Sequence, residues 1–184
     1  MSRVVERALK AVPESVFTFK DANTLEVMNA FIFWTNFRGE ANKFGNTART
    51  FNLAINEELA EVLKRDGWRV REASFDDEIL YFVNIKVNMN SAYPPLISLF
   101  TEFRGRRSKR ALDIDSISEL DRIDIQAADC IINAYVSDRF PGKVTGYLKK
   151  LNVIQEPEID FGGKYDDWLE EEDNDEENNP YEGE

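Results

Sequence analysis

The sequence contains no histidine and only one cysteine, Cys130. Without an imidazole there is no serine or cysteine nucleophile activated by histidine, and no zinc site that uses histidine. A single cysteine cannot close a disulfide within the chain, and its place in the apolar run Cys130-Ile131-Ile132 is typical of a buried side chain. Catalysis would have to depend on carboxylates, lysine or tyrosine. We therefore expect no enzyme activity, no cofactor and no metal.

Long apolar stretches are also missing. No window of the sequence approaches the ~18 consecutive apolar residues of a membrane-spanning helix. The amino terminus carries Arg3, Glu6, Arg7 and Lys10, and these charges interrupt what would be the apolar core of a secretory signal. The sequence therefore predicts no membrane partner and a cytoplasmic location.

The acidic residues are concentrated at the carboxyl end. Residues 157–184 hold 13 of the 35 acids and one of the 23 bases, so the preceding 156 residues contain 22 of each and are neutral. A net charge of -12 would argue against a nucleic-acid partner if it were spread over the fold, but here it is not. Acidic low-complexity sequence cannot bury enough apolar surface to fold. We predict one folded domain over residues 1–156 and a disordered acidic tail over 157–184.

Hydrophobic periodicity predicts a mainly β domain. The predicted strands cover residues 24–37, 47–56, 79–89, 96–103, 129–137 and 143–155, and a further short strand begins at Trp68 and Val70. Helices are predicted over 3–12, 57–65 and 116–123, the second with Asn56 as its cap. One face of the 79–89 strand is apolar, starting at Ile79, and the other becomes polar from Asn84. Five or more antiparallel strands with one or two short helices favour an OB-like β-barrel (oligonucleotide/oligosaccharide-binding), and a β-sandwich is the alternative.

A first set of candidate binding residues lies between Trp34 and Phe51, where cations and aromatic rings are interleaved. Single-stranded nucleic acid offers phosphates that attract cations and unpaired bases that stack on flat side chains. About half of the rings must face the core because strand side chains alternate, and Phe44 is the least suited to the core because it precedes Gly45 in a loop. The set comprises Trp34, Phe37, Arg38, Lys43, Phe44, Arg49 and Phe51.

Two further basic sets follow. The run 104–110 has five cations in seven residues and is typical of a phosphate-binding segment, a nuclear address or a solvated loop. In the last predicted hairpin, alternation places Lys143, Tyr147 and Lys149 on one face. The three sets form one groove only if folding brings them together. The cations of the run are Arg104, Arg106, Arg107, Lys109 and Arg110.

Short motifs between residues 30 and 155 resemble those of small phage and mobile-element proteins. They are Asn36-Phe37-x-Gly39, Arg49-Thr50-Phe51-Asn52-Leu53, Asp66-Gly67-Trp68-x-Val70, Leu120-Asp121, Ala128-Asp129-x-Ile131-Ile132, Tyr135 and Gly146-Tyr147-Leu148-Lys149-x-Leu151. In this order they resemble OB-fold single-stranded DNA-binding proteins of phage replication modules. The resemblance implies ssDNA protection during replication or recombination, without catalysis, in the cytoplasm of a bacterial host. Bacterial single-stranded DNA-binding proteins end their acidic tails in an aromatic residue, whereas this chain ends Tyr181-Glu182-Gly183-Glu184.

The leading hypothesis is sequence-independent ssDNA binding by the folded domain. In this hypothesis the acidic tail competes with DNA and recruits replication or recombination proteins through its apolar residues Tyr165, Trp168 and Leu169. A DNA-mimicking inhibitor of a nuclease or restriction/defence protein is the main alternative, and a carboxylate-dependent nuclease is the third. Whether the protein forms a homo-oligomer is left open by the sequence.

Overall fold

The computed structural model describes residues 2–45 and 47–157. Within this part the chain forms two α-helices, two short 3₁₀ helices and ten strands. The helices are α1 (Ser2–Ala11) and α2 (Glu57–Arg65), and the 3₁₀ helices are Val12–Glu14 and Ile117–Asp121. The strands are β1 (Val16–Asp21), β2 (Thr24–Ala30), β3 (Ile32–Asn36), β4 (Thr50–Ile55), β5 (Val70–Phe75), β6 (Glu78–Lys86), β7 (Leu96–Phe103), β8 (Arg106–Leu112), β9 (Ile125–Val136) and β10 (Val144–Gln155).

All ten strands belong to one mixed sheet, rather than to the two sheets of a β-sandwich. The main order is β1-β2-β9-β10-β6-β4-β3, with β5 on β6 and the β7–β8 hairpin on β10. Pairing is antiparallel except where β10 runs parallel to β6 and then to β7. The order ends at β1 and β3, so in the described residues the sheet does not close into a barrel. The predicted mainly β, OB-like fold is confirmed in a partly open form.

The main core lies on the inner face of the sheet. The side chains of Phe51, Leu53 and Ile85 are fully buried there, with Leu59 and Leu63 of α2 packed against the sheet. Helix α2 begins as predicted, because the Asn56 side chain accepts a hydrogen bond from the Leu59 N–H at 2.7 Å. Its first turn is acidic and its last turn basic, which complements the helix dipole.

One glycine allows β10 to pack closely on the core. A Cβ on Gly146 would lie 2.5 Å from the Trp68 ring and 2.9 Å from the Ile85 side chain. Trp68 itself forms an isolated bridge with Val144. The short strand predicted to begin at Trp68 and Val70 is β5, which starts at Val70.

A second apolar cluster lies on the outside of the sheet under α1. Val5 and Ala8 of the helix pack with Phe33, Leu80 and Phe82. Strand β6 is consequently buried on both faces near its start, and Ile79 is 47% exposed. The predicted apolar face is thus exposed at Ile79, whereas α1 covers Leu80 and Phe82 on the opposite face.

Other elements differ from the predicted ones. Strand β1 was not predicted, and the basic run 104–110 forms the end of the β7–β8 turn and most of β8 rather than a loop. The predicted strand 24–37 is divided into β2 and β3 at Phe31. Register shifts accompany this break in both strands.

Cys130 is buried, as predicted. Burial raises the pKa of its thiol to about 12, and the neighbouring Asp129 charge acts in the same direction. The thiol is therefore neutral at physiological pH. In the part of the chain that the structure describes, no helix has both the length and the apolar character needed to cross a membrane.

Candidate nucleic-acid interface

A row of directly opposed polar residues crosses the outer face of the sheet. Residues in register on neighbouring strands point to the same face, so the members of this row lie side by side. Their sequence neighbours Phe51, Ile85 and Ile132 are fully buried in the main core, which places the row on the opposite, outer side. From β3 to β2 this polar row consists of Asn36, Thr50, Lys86, Tyr147, Asn133 and Thr24.

Aromatic rings flank the middle of the polar row. Tyr147 makes an edge-to-face contact with Tyr135, with ring centroids 5.9 Å apart. Tyr135 is 55% exposed. On the other side, Tyr93 in the β6–β7 connection lines the same groove as Tyr147 and Lys149. The row therefore joins flat side chains to cations on a surface that solvent reaches.

Trp34 lies beside the row in an unusual backbone conformation. Its φ is 44°, a region that bulky side chains rarely occupy and that costs free energy. Edge-on contacts with Phe33 and Phe82 support the ring, at centroid distances of 4.7 and 5.6 Å. The ring remains 41% exposed. Such strain concentrates at functional sites, and here it presents an aromatic ring to solvent.

A chain of amide hydrogen bonds holds the Trp34 backbone. The Asn52 side-chain amide donates to the Trp34 carbonyl at 3.3 Å, and the Asn84 amide donates to the Asn52 Oδ1 at 3.3 Å. Asn52 is buried, so these bonds satisfy a polar group that would otherwise be costly to bury. The polar side of β6 thus helps to fix the position of Trp34.

The β3–β4 connection is anchored at its base by one carboxylate. Asp121 accepts hydrogen bonds from the Thr35 hydroxyl at 2.7 Å and from the Phe37 and Arg38 N–H groups at 2.9 Å each. Arg49 Nε donates to the Phe37 carbonyl at 2.7 Å, across the same base. Asn36 Nδ2 also donates to the Glu40 and Ala48 carbonyls, at 3.0 and 3.2 Å, so the motif residues Asn36 and Asp121 both help to shape this connection.

The cations and ring of this connection occupy different environments. Lys43 Nζ lies 5.1 Å from the centre of the Phe44 ring, which is 82% exposed. Arg38 pairs with Glu40 at 2.6 Å, an exposed pair of little energetic weight. Phe44 and Lys43 are thus accessible to a ligand, whereas Arg49 serves chiefly to hold the base of the connection.

Two predicted binding residues are core residues. Phe37 and Phe51 are both 0% exposed and stack on each other with centroids 5.6 Å apart. The prediction that they stack on bases is wrong, because alternation directs Phe51 inward and the connection folds Phe37 under its own base. Their rings have no face available to a ligand.

The β7–β8 hairpin carries the densest basic surface. Arg104 and Gly105 form its turn with positive φ values of 51° and 78°. Arg104 lies 5.3 Å from the Phe103 ring centre, and Lys109 Nζ lies 5.6 Å from that of Phe100. Arg106 and Arg107 are exposed on β8.

Arg110 differs from the other cations of the run. It lies opposite Leu99, on the core side of the hairpin, and pairs with Glu119 of the 3₁₀ helix Ile117–Asp121. This hydrogen bond and charge raise the pKa of Arg110. Glu119 therefore engages Arg110, although the Arg110 side chain remains 56% exposed.

The third predicted set lies at the start and middle of β10. Lys143 Nζ and the Arg139 guanidinium approach the exposed Phe140 ring, at 5.5 and 6.0 Å from its centre. Lys149 lines the groove that Tyr147 borders. A bulge between Leu148 and Lys150 leaves both Lys149 and Lys150 exposed.

The sheet places part of each set on its outer face, whereas Arg106 and Arg110 lie on the other face of the hairpin, opposite Phe103 and Leu99. Lys143 precedes one end of β10, and the β7–β8 turn lies beside the other end; at ~3.3 Å per residue these ends are roughly 40 Å apart. The polar row crosses β10 between them and leads through Thr50 to the β3–β4 connection. The outer face therefore carries rings and cations at its two ends and in the polar row between them.

Several residues of this surface were not predicted as binding residues. Lys86 and Asn133 lie in the polar row, and Tyr93 and Tyr135 flank it. The polar face of the predicted 79–89 strand includes Lys86, so alternation in the sequence was a signal for this residue. Nothing local marked Asn133, because its role depends on pairing with strands distant in the sequence.

Acidic side chains also lie on this face, among them Asp21, Glu26 and Asp129. Asp21 lies opposite Thr24 at the end of the polar row, and hydrogen bonds from the Asn23 N–H and from Thr24 lower its pKa. The charge of Lys149 lowers it further. Among residues 2–45 and 47–157 there is no group of three or more acidic or cysteine side chains arranged to hold a metal ion.

A curled OB-like sheet with rings and cations interleaved on its outer face defines a nucleic-acid-binding type of β-domain. The chain belongs to the family described as the putative phage ssDNA-binding domain, whose model matches residues 15–178. Helix α1 precedes the matched region. No curated protein matches the chain.

Solved structures of the single-stranded DNA-binding protein of bacteriophage Enc34 are similar to the chain. The C-terminally truncated form has 10% sequence identity and a TM-score of 0.43, covering 77% of this chain and 94% of its own. The form in complex with ssDNA has 9% identity and a TM-score of 0.44, covering 77% and 95%. The form without truncation has 10% identity and a TM-score of 0.41, covering 84% and 98%.

The three predicted partner-binding residues, Tyr165, Trp168 and Leu169, lie outside the described residues. The predicted boundary between a folded domain over 1–156 and an acidic tail over 157–184 stays a prediction.

Proposed function

We propose that the protein binds single-stranded DNA without sequence specificity and protects it during phage DNA replication or recombination. The observation that carries this proposal is the outer face of the sheet, where the polar row sets Lys86 beside Tyr147. Membership in the family of putative phage ssDNA-binding domains supports it. The protein acts by binding alone.

Two kinds of contact supply the affinity. Bases stack on aromatic rings, each stack worth ~1 to 3 kcal/mol. The proposed platforms are the exposed Trp34 and Phe44 and the half-buried Tyr147. Phosphates contact exposed cations and release counterions. The proposed phosphate-binding cations are Arg38, Lys43, Lys86, Arg104, Arg106, Arg107, Lys109, Lys143 and Lys149.

The acidic segment competes for the same surface in this proposal. The described fold ends at Pro157, which lines a groove together with Phe100 and Arg107 on the β7–β8 hairpin. The 13 acids of residues 157–184 therefore begin beside the densest basic surface. A tethered competitor acts at an effective concentration on the order of millimolar. DNA would displace the segment, and Tyr165, Trp168 and Leu169 would then recruit replication or recombination proteins.

The alternative of a DNA-mimicking inhibitor draws no support from the described residues. Such a protein needs acids distributed over a folded surface in the pattern of phosphates. The outer face of this sheet instead presents lysine and arginine among scattered acids such as Glu26 and Asp129.

A fluorescence-polarisation titration tests the proposal. Labelled oligo-dT, duplex DNA and single-stranded RNA of equal length are titrated with the full chain at several salt concentrations. We expect oligo-dT to bind more tightly than duplex DNA, with log K falling against log salt at about 0.7 per phosphate neutralised. Absence of oligo-dT binding at low salt, or an affinity independent of salt, would overturn the proposal.

A further inference from the structure

A groove on the outer face combines two aromatic rings with two amides. It lies between the β6–β7 connection and strand β10, and its walls include Asn88, Tyr93, Asn133, Tyr147 and Lys149. The groove opens onto the polar row, since Tyr147 and Asn133 belong to both. It is therefore continuous with the surface proposed above to bind ssDNA.

The position of Tyr93 suits a stacking side chain. Its side chain is 94% exposed, and Pro94 and Pro95 follow it directly. Proline fixes φ and so restricts the backbone next to the ring. Pro95 is buried, which anchors the connection to the fold. Tyr93 is thus held exposed by a stiff segment, and it lines the groove together with Tyr147.

The two amides are oriented by hydrogen bonds within the protein. The Asn133 Oδ1 accepts from the Thr24 hydroxyl at 3.4 Å, and the Asn88 Oδ1 accepts from the Asn90 N–H at 3.1 Å. Each bond fixes the plane of its amide, and among the described residues the two Nδ2 groups donate no hydrogen bond, so they remain as donors to a ligand. Lys149 is also a donor with no acceptor. The groove therefore offers fixed donors to whatever enters it.

Donors of this kind discriminate between bases. Thymine and guanine carry carbonyl oxygens at O4 and O6, whereas adenine carries an amino group at the corresponding position. An amino group facing an amide donor leaves two donors without an acceptor, which is unfavourable. A keto base between two rings would satisfy both amides.

We propose that this groove is a base pocket that holds one unpaired keto base, thymine or guanine, between Tyr93 and Tyr147. Asn88 and Asn133 donate to the base, and Lys149 contacts the adjacent phosphate. The inference rests on the proposed ssDNA-binding function and adds a preference at one nucleotide to otherwise sequence-independent binding.

The test measures a preference rather than affinity alone. Oligo-dA, and oligo-dA carrying a single central thymine or guanine, compete for the full chain against labelled oligo-dT. We expect the single keto base to improve competition about fivefold, the value of one net hydrogen bond. The thymine and guanine oligonucleotides separate the two candidate bases.

Variants identify the groove as the source of the preference. In the Asn133→Leu and Asn88→Leu variants, oligo-dA with a single keto base should compete about as well as plain oligo-dA, and plain oligo-dA should still bind. Asn152→Leu is the matched control, because Asn152 lies further along β10 opposite Asp129, outside the groove. Tyr93→Ala should lower the affinity for all three oligonucleotides, and Tyr93→Phe should keep the affinity of the original chain.

The outcomes separate this inference from the proposed function. If the full chain binds the three competitors equally, or if both asparagine variants keep the preference, the base pocket is overturned while ssDNA binding stands. If the full chain binds no oligonucleotide, both proposals fail together.

Discussion

Lys86 of β6 lies directly opposite Tyr147 of β10, in the short parallel pairing that joins the two halves of the sheet. The pairing places a cation and an aromatic ring side by side on the outer face. The cation comes from β6 and the ring from β10, so the pair exists only because the two strands are in register. The pair combines the two chemical handles that an unpaired strand of DNA requires.

Tyr147→Ala should weaken oligo-dT binding by roughly 5- to 150-fold, because one stacked base is worth ~1 to 3 kcal/mol. Lys86→Ala should lower the salt slope by about 0.7, the contribution of one phosphate contact on a single strand. Both effects are measured by fluorescence polarisation over a range of salt concentrations.

Lys64→Ala is the matched control for Lys86, since Lys64 is exposed on α2 and pairs with Glu72. It should change neither affinity nor slope. If the Lys64 and Lys86 variants lost oligo-dT affinity and salt slope equally, the effect would be one of overall charge. That result would count against the polar row as the binding surface.

Removal of residues 158–184 should tighten ssDNA binding at low salt, because the intramolecular competitor is lost. The gain should shrink as salt rises, since attraction between the acidic segment and the basic surface is screened. Titration of the full and shortened chains with oligo-dT in parallel measures both effects. An unchanged or weaker affinity of the shortened chain at low salt contradicts tail competition.

Trp34 gives a prediction that separates stability from binding. Trp34→Gly should be more stable than Trp34→Ala by about 1 kcal/mol, because glycine adopts a φ of 44° without the steric cost that alanine incurs. Both variants should lose the same ssDNA affinity, since both lack the exposed ring. Urea unfolding gives the first comparison and oligo-dT titration the second. Equal stability of the two variants would mean that the backbone relaxes once the ring is gone.

Cys130 should not react with thiol reagents in the folded protein near neutral pH. Its burial and its pKa of about 12 keep the thiolate population very small. A chromogenic disulfide reagent should label it only after denaturant is added, and the denatured sample is the control for reagent activity. Rapid labelling of the native protein would show that β9 opens locally.

Local signals predicted the elements whose interactions are local. Asn56, the acidic first turn and the basic last turn of α2 all act within a few residues, and the helix forms where they predict it. Strand β8 was missed because its alternation is hidden by a run of cations, and it is a strand because β7 pairs with it along its whole length.

The sequence by itself determined the segregation of charge, the mainly β composition and the supply of rings and cations. Only the tertiary structure decided which of them share a surface. Phe51 and Thr50 are neighbours in sequence, yet one is in the core and the other is in the polar row. The row joins residues from positions 24 to 147, and its register depends on hydrogen bonds between strands distant in the chain. Such pairing is non-local, so no short window of sequence contains it.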